Sequence, residues 1–246
     1  MDDPMVTRRK IDTHVSVDCV LIGFDGEQLR VLLVRQIGKS GHGDLSDMKL
    51  PGSLIYTDEE LDDAAKRVLT ELTGLKNIKM DQFRAYGSKG RTANREDVEW
   101  LERFQSLPEN HVGLIVTIAY LSLQRINRRT RELTGTYDAM WVPVGEVKSL
   151  AFDHYKILQD ALKHIRKYVD AVPSAMYDLL PRKFTASQLR VLYQLVYERE
   201  FDIRNFHKKI AQLPYLVPLE EKETGVAHRA ARYYRFDKVI YNRNKK

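Results

Sequence analysis

Three ionisable residues, Glu59, Arg67 and Glu71, fall in one stretch, residues 52–75, whose spacing suits metal-assisted chemistry. Leu61, Ala64, Ala65, Val68, Leu69 and Leu72 recur there at helical spacing and predict an amphipathic helix over 58–73. Thr57 with Glu60 predicts a capping box at its start, and Gly74 predicts its stop. Carboxylates one turn apart on such a helix converge their oxygens on a hard divalent cation. The cation neutralises pyrophosphate charge, and one carboxylate helps to activate a water.

The stretch resembles a Nudix box, the loop–helix–loop signature of enzymes that cleave nucleoside diphosphate derivatives. Gly74 and Leu75 match its last two positions, Glu59 its first Glu, Arg67 its Arg and Glu71 a later Glu. Ser53 stands where the pattern has Gly, and Val68 and Leu72 stand where it has carboxylates. The resemblance implies an α/β/α sandwich in which a single remaining carboxylate is a poor metal site. No catalytic residue, metal ligand or cofactor is expected, and Glu59 with Arg67 is read as an ion pair that holds the loop against the helix.

A second set of polar side chains lies far along the chain. Asp202 predicts the cap of a helix reaching 213, with Ile203, Phe206, Ile210 and Leu213 on its core face. Arg204, Asn205, Lys208 and Gln212 fall on the opposite face, flanked by His207 and Lys209. Two cations suited to phosphate or guanine and two amides suited to adenine form a base-reading surface. Before it, Thr185 and Gln188 predict a capping box opening a helix to about 197. After it come a strand-like 215–219, a basic turn over 225–232 with His228, Arg229 and Arg232, and a second strand at 233–236. Helix, helix and basic hairpin read as a winged helix-turn-helix.

Charge distribution supports that reading. The chain of 246 residues carries +6, and residues 201–246 hold eleven basic side chains against five acidic ones, so the whole excess lies there. The one cysteine, Cys19, lies in an apolar run and excludes a disulfide framework. No apolar signal core opens the sequence, and no apolar run is long enough to cross a bilayer. A cytoplasmic protein without a membrane partner is expected.

The elements between are read as follows. Residues 1–13 form a polar arm. Two apolar runs, 15–24 and 29–34, flank Asp25-Gly26 as a hairpin. Strands are predicted at 77–86, 112–123 and 140–144, and 88–111 is a polar excursion. Asp153 is predicted to cap a helix reaching 169 with Ile157, Ala161, Leu162, Ile165 and Val169 inward. The boundaries drawn are an arm at 1–13, an α/β domain at 14–170, a linker at 171–184 carrying Pro173 and Pro181, and the winged helix-turn-helix at 185–246.

The order of parts then resembles the NrtR family of Nudix-related transcriptional regulators. The matching residues are 150–154, 179–181, Phe184, Thr185, Gln188, Leu189, Asp202, 204–206, Lys209, Ile210 and 234–236. The resemblance implies a homodimer that binds an inverted-repeat DNA operator, as a repressor, and a Nudix domain that senses an effector. ADP-ribose and pentose sugars are the effectors it suggests. Here 87–92 replaces the Asp-Arg-Asp-Pro-Arg-like segment of the ADP-ribose branch, and Met48-Lys49 replaces its Trp, so a sugar or sugar phosphate is at least as well supported. Arg35, Glu59, Arg67 and Glu71 are the expected rim of the effector pocket. The alternative is an active Nudix hydrolase, disfavoured by Val68 and Leu72. A nucleotide- or RNA-binding adaptor is disfavoured by the lack of aromatic platforms for single strands.

Overall fold

The computed structural model describes residues 10–35, 48–91, 114–225 and 230–244. The described residues form a mixed α/β body followed by a winged helix module. In the body, β1 (Ile11–Phe24) and β2 (Leu29–Arg35) make the expected hairpin, with Phe24 opposite Leu29. β3 (Gly52–Tyr56) pairs with the first half of β1, and β5 (Val116–Arg125) runs parallel to β1 from Val15 to Phe24. β4 (Asp81–Tyr86) and β6 (Asp138–Pro143) are the two edges, giving the order β4-β5-β1-β2-β6. The strand expected over 77–86 starts only at Asp81, because Asn77 has a left-handed φ of 57° that breaks extension.

Alternation along β1 sets the two faces. Val17, Cys19 and Leu21 pack with α1 (Leu61–Thr73), while Val20, Ile22 and Phe24 face α3 (His154–Ala171). The single cysteine is therefore a buried core residue. The α1 core takes in Ala64, Ala65, Val68, Leu69 and Leu72, the apolar face read from the sequence. Gly74 ends α1 in the left-handed region at φ 77°. A short helix α2 (Arg128–Arg131) leads to Gly135, which lies so close to the end of α1 that a Cβ there would sit 2.1 Å from the Leu72 carbonyl.

Two expected side-chain cap bonds are absent. The N-cap of α1 is Glu60 with no side-chain cap bond, and Thr57 Oγ1 donates to the Lys10 carbonyl instead. Asp153 is the N-cap residue of α3, as expected, but its side chain makes no cap bond, because its carboxylate is held by Arg91. In both cases a more distant partner takes the side chain.

The segment read as a linker is packed. A 3-10 turn, Pro173–Asp178, puts Ala175, Met176 and Tyr177 inside, and Leu179, Leu180 and Phe184 are buried too. One apolar core runs from the sheet through α3 to α4 (Ala186–Tyr197) and α5 (Ile203–Ala211). The Tyr177 ring stacks on Phe236 at 4.1 Å, and its hydroxyl bonds to those of Tyr193 and Tyr215. β7 (Phe184–Thr185), β9 (Arg232–Phe236) and β8 (Leu216–Lys222) form the wing sheet in that order, so it begins one residue before the boundary drawn at 185. The Thr185–Gln188 capping box is present. A last helix, α6 (Lys238–Arg243), capped by Asp237, was not expected.

Candidate effector site and nucleic-acid interface

The Nudix-like stretch builds a compact ionic knot. The Glu59 carboxylate accepts from Tyr56 N at 2.9 Å and receives Arg67 through Nη2 at 2.6 Å and Nε at 2.9 Å. Arg67 also donates to Glu71 at 3.1 Å and to the Leu54 carbonyl at 3.3 Å, with its guanidinium 4.3 Å from the Tyr56 ring. Glu59 and Arg67 are 6% and 15% exposed, Glu71 51%. Beside them Thr57, Asp58, Glu59, Glu60, Asp63 and Arg67 line an open depression of about 720 Å³. Three of the four rim residues expected for an effector thus come together. Arg35 does not join them: it pairs with Asp138 across β2 and β6 at 2.8 Å. Val68 and Leu72 point into the core, and among the described residues no group of three His, Cys, Asp or Glu side chains could hold a metal.

On the opposite face of the sheet lies a buried polar cluster the sequence reading missed. Asp18 on β1, Lys49 and His154 are each at most 5% exposed. Gly52 makes room for Asp18, since a Cβ there would meet Asp18 Oδ1 at 1.8 Å. Lys49 donates to the Gly52 carbonyl at 2.7 Å. His154 Nδ1 accepts from Leu50 N at 3.0 Å, and its Nε2 is 3.3 Å from Asp18 Oδ2. Beside them Arg91 donates twice to Asp153, at 2.7 and 3.0 Å, and to Thr117 Oγ1 at 2.6 Å. Burial pushes the Asp18 carboxyl up to about 7, against the pull of Lys49. Burial likewise brings Lys49 down to about 8 and, with Lys49 nearby, His154 down to about 3. Asp18 Oδ2 has no hydrogen-bond partner among the described residues. A lone acid inside the apolar run 15–24 was the available signal.

The third assembly is α5 and the wing. Asp202 caps α5 by accepting from Asn205 N at 2.9 Å, and Phe206 and Ile210 anchor it. Arg204, Asn205, His207, Lys208, Lys209 and Gln212 are all exposed, as expected. Neither the three cations nor the histidine among them forms an ion pair among the described residues. Ile203, expected in the core, is 58% exposed. It occupies the first turn, ahead of the point where α5 meets α4. Arg232 is exposed at the start of β9, while His228 and Arg229 lie outside the described residues. Among the described residues no helix is long and apolar enough to cross a membrane.

Comparison with known proteins accounts for both halves. The NUDIX domain family model matches residues 12–161, and the model of the NrtR DNA-binding winged helix domain matches residues 176–236. The structure of Shewanella oneidensis NrtR is 25% identical with a TM-score of 0.63, covering 91% of this chain and 94% of that one. NrtR of the same organism complexed with a 27mer DNA is 24% identical with a TM-score of 0.64, covering 93% and 95%. A MutT/nudix family protein from Enterococcus faecalis shares the fold at 19% identity, with a TM-score of 0.56 and coverage of 96% and 90%. No curated protein matches the sequence. A Nudix domain over most of the chain places the protein in the Nudix family, and the segment behind it is similar to the NrtR DNA-binding winged helix domain.

Proposed function

We propose that the chain is a DNA-binding transcription regulator whose Nudix domain senses a small-molecule effector. The observation that carries this reading is α5, where exposed cations and amides stand without side-chain partners among the described residues, beside a wing that opens on Arg232. A duplex presents the phosphates and base edges that such a face lacks. Arg204, Asn205, Lys208 and Gln212 are the proposed base and near-phosphate contacts, with His207, Lys209, His228, Arg229 and Arg232 beside them. Ile203 adds an apolar group suited to a thymine methyl. Two copies related by a twofold axis suit an inverted-repeat operator with half-sites about 34 Å or a multiple apart.

In the Nudix domain the reading is a sensor without hydrolysis, acting as a repressor's switch. Arg67 is already saturated by Glu59, Glu71 and Leu54, and Val68 and Leu72 offer no oxygen. Glu59, Arg67 and Glu71 remain candidates for the rim of a pocket for a sugar, a sugar phosphate or ADP-ribose. NrtR crystallised with DNA supports the first half of the reading.

Fluorescence anisotropy on DNA upstream of the chain's own coding sequence tests it. Specific binding lost in Arg204→Ala/Lys208→Ala is expected. Equal affinity for scrambled DNA overturns it. Mg²⁺-dependent turnover of ADP-ribose on the order of 1 s⁻¹ would overturn the sensor assignment.

A further inference from the structure

A second cavity, of about 500 Å³, opens where the Nudix sheet meets the winged helix module. β4 and β5 form its floor, α3 one wall through His164 and Tyr168, and Lys238 of α6 stands on the far side. It is remote from the α1 knot, which lies on the other face of the sheet. Its size falls within the usual range for small-molecule sites.

Two properties of its lining define an occupant. The first is an aromatic wall. The Phe83 and His164 rings lie 5.5 Å apart, and His164 and Tyr168 are stacked at 19° with centroids 6.4 Å apart. The second is unbalanced positive charge. Asp81 is engaged by Lys79 and by the Tyr168 hydroxyl, each at 3.5 Å. That leaves Asp178 facing Lys238 and Arg125, and Arg182 adds its charge beside Arg125. Arg125 is oriented by donating Nε to the Leu180 carbonyl. Within the lining, apart from the Lys79–Asp81 pair, one carboxylate is set against two cations, a site short of an anion.

We infer that this junction binds a small phosphate monoester carrying a flat ring, the chemistry of a mononucleotide, with the ring against His164 and the phosphate between Arg125 and Lys238. Such an occupant bridges β4, β5 and α3 of one domain to α6 of the other. It therefore fixes how the winged helix module sits on the Nudix domain. The site itself does not depend on the regulator reading.

Titration calorimetry of the full chain with AMP, without DNA, decides it. Adenosine and inorganic phosphate, titrated separately, divide ring from anion, and each is expected to bind at least about tenfold more weakly than AMP. Lys238→Ala, at an exposed position, is expected to weaken AMP by about tenfold, and His164→Ala by a comparable factor, with the unfolding temperature of Lys238→Ala unchanged. No AMP binding, or AMP binding untouched by both substitutions, overturns the inference. Since no DNA is present, that failure is separate from failure of the regulator reading, which anisotropy without AMP decides.

Discussion

Helices α1 and α5 carry similar apolar faces in sequence, yet their polar faces are in opposite states. On α1 the charges answer one another: Arg67 with Glu59 and Glu71, Lys66 with Asp63, and Asp62 with the Tyr120 hydroxyl. On α5, Arg204, Lys208 and Lys209 answer nothing among the described residues. Amphipathicity alone reports which face is buried. The state of the opposite face distinguishes a helix used to hold the fold from one held ready for a ligand. Cations clustered without partners repel each other at some cost in stability, and a polyanion offsets that cost when bound.

The contrast breaks most visibly at Arg67. Arg67→Ala leaves the 6% exposed Glu59 carboxylate without its cation, and about 3 kcal/mol of stability should be lost in urea unfolding. Arg204→Ala should leave stability within about 0.5 kcal/mol. Equal losses would erase the distinction between the two helices. In DNA binding the order reverses: Arg204→Ala or Lys208→Ala should each cost roughly 1–3 kcal/mol on a specific site. Arg232→Ala should weaken all sequences alike and lower the salt slope by about one unit, as anisotropy at several salt concentrations would show.

The buried cluster extends the comparison to charges without solvent. Asp18 titrates at about 7 in the fold against 3.8 ordinarily, so the fold favours its protonated form. Its contribution is complete below about pH 4 and is lost as pH rises through about 7. His154, lowered to about 3 from 6.5, has the opposite sign: its contribution is present above about 6.5 and is lost on acidification. Asp18→Asn removes only the first. Relative to the parent chain, the unfolding temperature of the variant should therefore rise as pH climbs from 4 to 7. A difference independent of pH would show that Asp18 keeps an ordinary pKa. The smallest effect is expected at Lys66, whose partner Asp63 is 66% exposed: Lys66→Ala should leave the urea unfolding midpoint unchanged.

Much of the scaffold was legible because periodicity and turn chemistry are local. The β1–β2 hairpin, the buried face of α1, the stop at Gly74 and the Thr185–Gln188 box all follow from neighbours within a few residues. What failed depended on partners far along the chain. Thr57 bonds to residue 10 rather than capping, and Asp153 reaches Arg91. Ile203 has the right spacing for the core, but α5 meets α4 only through its later turns. The Glu59–Arg67 pair was legible because it lies within one box. The Asp18–Lys49–His154 cluster was not, since it is assembled from three separated segments. Pro173 and Pro181 suggested a linker, and the apolar residues between them pack it into the core.

The parallel register of β1 with β5 has a consequence for how the chain reaches this state. Val15 pairs with Val116, and Ser16 with Thr117, 101 residues apart. The central strand is thus made early and lacks its neighbour until the ribosome has added about a hundred residues, roughly 5–20 s of synthesis. Until then the apolar run from Val15 to Phe24 has only the β2 and β3 hairpin partners. Its open side is the place where a nascent chain would aggregate or recruit a chaperone.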